Sequence, residues 1–135
     1  MSRRSAREAV YKLIFEYTFY KVKNTVTLEM LKSDADLSDD DKEYIDKTYA
    51  GVVANFNELT ALVGKYAEGY AVERIFRPDL CALLLSSYEL KYMPDVPSSV
   101  SISEAVEIVR RYSEEKSRSF VNGVLASVNK EIRGS

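Results

Sequence analysis

The 135-residue sequence contains no histidine and a single cysteine, Cys81. Without those ligand types a zinc or other transition-metal site is not expected. One cysteine cannot form an internal disulfide, which fits a reducing, cytoplasmic setting. No uninterrupted apolar run approaches the roughly 20 residues of a membrane-spanning helix, so no membrane association is expected. There is no signal-peptide pattern either, because Arg3, Arg4 and Arg7 lead straight into an amphipathic segment. With neither His, nor a reactive Cys context, nor a metal cluster, catalytic residues and cofactors are not expected. Glu104 and Glu107 sit one helical turn apart, but such pairs are usually solvated or paired with Lys or Arg.

What is present is ordinary for a soluble globular protein: 46% hydrophobic and 30% charged residues. The length fits one domain, residues 1–135, able to bury a core without covalent staples. The net charge of −2 conceals an asymmetry. Residues 1–23 carry six Lys/Arg against two acids, residues 24–109 seven against sixteen, and residues 110–135 six against three. If the first and last helices lie side by side, their basic ends make one positive surface of the kind that attracts phosphates. The blander reading is that these charges solvate helix faces.

Helical periodicity dominates the chain, and no stretch shows a convincing two-residue alternation, so the class is all-α. A first helix is expected from about Ser2 to Tyr20, with Ala6, Val10, Leu13, Ile14 and Tyr17 as its buried stripe. Arg4, Arg7, Tyr11 and Phe15 share a neighbouring face. Guanidinium groups one turn from aromatic rings suit single-stranded RNA, one for phosphate and one for a base. Rings packing on a neighbouring helix while arginines snorkel would give the same pattern. At this point the two readings stand level.

A short helix follows at Thr25–Lys32 and a loop at Ser33–Leu37. The aspartates from Asp34 to Asp41 lack the glycine and glutamate spacing of a calcium loop. Ser38 before three aspartates reads as an N-cap with an acidic first turn. The helix it opens is expected to continue to about Tyr66. Gly64-Lys65 looks like the end of a phosphate loop, but Leu59 stands where that pattern needs glycine. Glu68–Arg77 is expected as a turn plus a short helix. Pro78 then opens a helix to about Met93, apolar on most sides and the most buried element. Pro94 and Pro97 set an extended link. Ser101-Ile-Ser-Glu104 has the form of a capping box opening the next helix. Ser113 is expected to open the last helix, with Gly134 just past its end.

In that last helix Val121, Val124, Leu125, Val128 and Ile132 share one stripe. Phe120 projects off its edge, one turn from Lys116 and from Gly123. A ring beside a cation and a residue without a side chain is either a helix-packing contact or a platform for a flat ligand. A helical Phe is more often core.

Tyr88-Glu89-Leu90, Ile102-Ser103-Glu104-Ala105-Val106-Glu107 and Phe120-Val121-Asn122-Gly123-Val124-Leu125 occur in the order and spacing of the NusB family of transcription antitermination factors. The start, Arg3-Arg4-Ser5-Ala6-Arg7-Glu8-Ala9, resembles that family's arginine-rich N-terminus. The resemblance spans essentially the whole chain. There are two departures: Ser103 stands where the family usually has Asn, and the chain has no Trp, which many members carry near the Tyr70 region.

The resemblance implies an all-helical fold of about seven helices in two interleaved sub-bundles. It implies binding of boxA-type RNA in nascent rRNA transcripts together with a small ribosomal protein, NusE. Other Nus factors and RNA polymerase are implied as indirect partners. Carried over by position, the RNA surface includes Arg3, Arg4, Arg7 and Asp79, the carboxylate accepting from a base amino group. The helical wheel adds Lys116, Arg118 and Phe120, with stacking on Phe120 and on Tyr11 or Phe15. The ribosomal-protein surface is expected around the Glu68–Arg77 turn and its helix. Related domains occur fused ahead of an rRNA cytosine methyltransferase, but this chain ends at Ser135 without a cofactor-binding domain. The alternative is a helical protein–protein adaptor that does not touch RNA. The sequence leaves open whether the free protein is a monomer or a homodimer.

Overall fold

The computed structural model describes residues 3–69 and 71–134. Ser2, where the first helix was expected to begin, and Tyr70, in the region of the family tryptophan, lie outside the described residues. Among the described residues there are seven α-helices and no strand. The chain divides into two compact units, one up to Ala54 and one from Asn55 onward. No helix among the described residues is long and apolar enough to cross a membrane.

The first unit holds α1 (Arg3–Tyr20), α2 (Thr25–Lys32) and α3 (Asp39–Ala54). Ala6, Val10, Leu13 and Ile14 of α1 are buried, as are Ile45, Tyr49 and Val52 of α3, which packs on α1. The helix starts follow from polar caps. Asn24 Oδ1 accepts from the backbone N–H groups of Val26 (3.0 Å) and Thr27 (3.1 Å), opening α2. Ser38 Oγ accepts from Asp41 N–H at 3.0 Å, so the acidic run caps α3, as its spacing suggests. Lys21 closes α1 in the left-handed region, φ 58°, with its N–H bonded to Tyr17 O at 2.8 Å.

The second unit holds α4 (Phe56–Tyr66), a 3-10 turn (Val72–Arg74), α5 (Arg77–Tyr92), α6 (Ser98–Tyr112) and α7 (Ser117–Arg133). Every residue from Cys81 to Leu90 is buried, so α5 is the centre of this unit, with α4, α6 and α7 packed on it. The Arg133 guanidinium, at the end of α7, ties down the end of α5. It donates to the carbonyls of Glu89 (3.2 Å), Leu90 (3.0 Å), Met93 (3.1 Å) and Val96 (2.7 Å). Gly134 ends α7 at φ 79°.

Four boundaries differ from the sequence reading. The single helix expected to reach Tyr66 is two helices, parted at Asn55 (φ −112°, ψ 23°). The apolar stripe runs unbroken through the parting, but α3 serves the core with α1 while α4 serves the core with α5 and α7. The short helix expected within Glu68–Arg77 is one 3-10 turn. The Ser101 capping box does not form: α6 begins at Ser98, after Pro97, and Ser101 is buried inside it. Its hydroxyl instead donates to the buried Glu89 carboxylate at 2.7 Å and lies 2.8 Å from Ser86 Oγ. Finally, α7 opens at Ser117 rather than Ser113, because the Ser113 hydroxyl is turned to Asp79.

Candidate nucleic-acid interface

In the second unit, the start of α7 and the approach to α5 enclose an open groove of about 540 Å³. Arg74, Ile75, Phe76 and Asp79 line one side, and Glu114, Lys116, Ser117, Ser119 and Phe120 the other. Phe120 is half-buried on the rim of the α7 stripe, while Val121, Val124, Leu125 and Val128 are buried. A Cβ added at Gly123 would meet nothing within 4 Å, so that glycine faces open space and is not a close helix-packing contact. The flank of the Phe120 ring one turn away is therefore not walled by that residue.

Asp79 forms the groove's anchor. It is the third residue of α5, 5% exposed, in a helix start that suits negative charge. Ser113 Oγ donates to one carboxylate oxygen, and Ser117 Oγ to the other at 2.8 Å. The two hydroxyls also lie 2.9 Å apart. These bonds hold the first turn of α7, and with it Lys116 and Phe120, against the start of α5. Both Asp79 oxygens are already engaged, so positioning α7 is the role its geometry displays.

Lys116 is almost fully solvated, its side chain 85% exposed, with Glu114 at 3.6 Å. Arg118 is half-buried and lies 3.6 Å from Glu115. At such exposure these contacts are weak and readily exchanged for a phosphate. Phe76 caps the start of α5 and is 49% exposed. By sequence, Phe76 and Arg74 fall within the Glu68–Arg77 segment expected to meet the ribosomal protein, not within the RNA surface. The available signal was an aromatic residue at an N-cap, where small polar residues are preferred.

In the first unit Arg4 is exposed, Arg3 is half-buried, Arg7 and Tyr11 are buried and Phe15 is half-buried. Arg3 Nη2 pairs with Asp40 at 2.6 Å and Arg3 Nε with Asp41 at 3.1 Å, its guanidinium 4.5 Å from the Tyr44 ring centre. Burial of Asp41 works to raise its pKa. Hydrogen bonds from Arg3 and Ser38, with the charge of Arg3, outweigh it and hold the carboxyl below its ordinary range. Arg7 is buried, 5.9 Å from the same Tyr44 ring, and Tyr11 is buried too. Phe15 is half-buried and meets Phe19 edge to face, ring centres 5.2 Å apart. The structure thus brings Asp79, Lys116 and Phe120 to one groove, while Arg3 is tied to the start of α3. Among the described residues no group of three or more His, Cys, Asp or Glu is placed to hold a metal.

The NusB family model matches residues 4–130. The transcription antitermination protein NusB of Ruminiclostridium cellulolyticum is 37% identical over 130 residues, covering 96% of this chain and 90% of that protein. The protein of the same name from Listeria monocytogenes is 37% identical over 131 residues, covering 97% and 98%. Among solved structures, T. maritima NusB superposes with a TM-score of 0.86 at 32% identity, covering 97% of this chain and 92% of that one. A structure of antitermination factors NusB and NusE in complex with dsRNA shares the fold, with a TM-score of 0.84 at 22% identity over 96% of each chain.

Proposed function

The chain belongs to the NusB family, and from that premise we propose that it acts in the cytoplasm as a transcription antitermination factor. It binds boxA-type single-stranded RNA of nascent rRNA transcripts together with NusE, supporting rRNA transcription and processing. Its two units work as one RNA-binding domain. It is a binding protein and not an enzyme. The observation that carries this reading is the family match across residues 4–130, joined to relatives named for antitermination. A protein of the same fold in complex with NusE and dsRNA supports an RNA ligand and NusE as partners.

On this chain the RNA meets Arg4 of α1 and Lys116 of α7, both exposed, and stacks a base on Phe120. Cations capture the phosphates, and the ring accepts a base without regard to its hydrogen-bonding edge. Arg118 and the half-buried Phe15 contribute at the margins. Arg7, Tyr11 and Asp79 act from beneath, holding the surface in shape, and Arg3 acts through its ties to Asp40 and Asp41. NusE docks on the acidic middle of the chain around the Glu68–Arg77 turn, leaving the groove-lining side chains of Arg74 and Phe76 to the RNA.

The test is binding of a boxA-like single-stranded RNA, with and without NusE, over a salt series. Affinity should rise when NusE is present and fall linearly with salt on a logarithmic plot, with a slope of about 0.7 per phosphate neutralised. No binding even with NusE, or binding indifferent to salt, overturns the reading.

A further inference from the structure

We infer that Phe76 and Phe120 form the two walls of a seat for one unpaired RNA base, in the groove between the starts of α5 and α7. The inference rests on the RNA-binding reading above and adds Phe76, which no family motif brought into the site.

Three observations point to it. First, both rings line the same groove, whose volume of about 540 Å³ can hold a nucleotide. Second, Phe76 is 49% exposed at a helix start where small polar residues are preferred, so much of its ring surface is open to a ligand. Third, two cations, Arg74 and Lys116, line the groove with the rings; of its acids, Asp79 is taken up by Ser113 and Ser117, and Glu114 lies 3.6 Å from the solvated Lys116. Rings flanked by cations are what a stacked base with its two neighbouring phosphates requires.

The anchoring of the groove fits this use. Asp79 fixes the Phe120 wall through Ser113 and Ser117, while Phe76 sits three residues before Asp79 on the same helix start. The starts of α5 and α7, which carry the two rings, are thus tied together by one buried carboxylate and two hydroxyls. A preset gap takes a flat group with little reorganisation.

The experiment uses boxA-like single-stranded RNAs in which 2-aminopurine replaces one base at a time. Binding to the whole protein should quench the fluorescence strongly at one position. Phe76→Ala should abolish that quench and weaken binding about tenfold, leaving the salt slope and the melting temperature unchanged. Phe76→Tyr should restore both quench and affinity. If the RNA binds and quenches identically with Phe76→Ala, the inference is overturned while the RNA-binding reading stands. If Phe76→Ala weakens only the binding of NusE, measured without RNA, the groove belongs to the protein partner and the inference is again overturned. If no variant, and not the unaltered protein with NusE, binds any of the RNAs, the RNA-binding reading itself falls.

Discussion

Asp79 and Asp41 are both buried carboxylates near a helix start, yet they do different work. Asp79 gathers two hydroxyls from the loop and helix beside it and so positions the first turn of α7. Asp41 receives Ser38 N–H and Arg3, joining the start of α3 to the start of α1. Its folded pKa lies below the ordinary value of 3.8. Its contribution to stability is therefore complete above 3.8 and is lost as pH falls through the lower folded value. Arg3→Ala removes the largest lowering influence. Thermal melts should show the variant less stable than the parent at neutral pH, with the difference shrinking once pH drops below 3.8. A difference that stays constant through that range would mean Arg3 acts by packing on Tyr44 instead.

At the scale of the element, the ends of the helices carry the clearest consequences. Both α1 and α7 close through a left-handed residue, but α7 uses Gly134 where α1 uses Lys21. A side chain in that conformation costs roughly 1–2 kcal/mol, while glycine loses somewhat more entropy on folding. Lys21→Gly should therefore stabilise the protein by about 0.5–1 kcal/mol in urea unfolding. The end of α5 behaves in the opposite way, because the forked Arg133 satisfies four carbonyls there. Arg133→Ala should destabilise by about 2–3 kcal/mol. Arg133→Lys should recover only part of it, since an ammonium cannot present that planar fork. Equal unfolding midpoints for Lys and Arg would refute the fork.

Across the whole molecule the charge is acidic, with a pI near 5.3, although the proposed ligand is a polyanion. What decides binding is how far each cation reaches into solvent. Arg3 is spent on Asp40 and Asp41, whereas Arg4 and Lys116 project into solvent. Arg4→Ala should therefore lower the salt slope of RNA binding by about 0.7, and Arg3→Ala by clearly less. Equal losses of slope would show that the RNA displaces the aspartates from Arg3. The sequence alone ranked the three N-terminal arginines together, because spacing on a helix says which face a side chain takes and nothing about which acids reach it.

Apolar spacing by itself determined the helical class, the buried stripes of α1 and α7, and the all-round burial of α5. Local chemistry determined the caps at Ser38 and Gly134. These features depend on neighbours within a turn or two, which the order of residues contains. Tertiary structure decided the parting at Asn55, the diversion of Ser101 to Glu89 and of Ser113 to Asp79, and the joining of Phe76 with Phe120 in one groove. Each of these turns on a partner far along the chain. A serine offered both a backbone N–H in its own turn and a buried carboxylate from another helix goes where the unmet charge is costlier, and only the packed fold says which carboxylate that is.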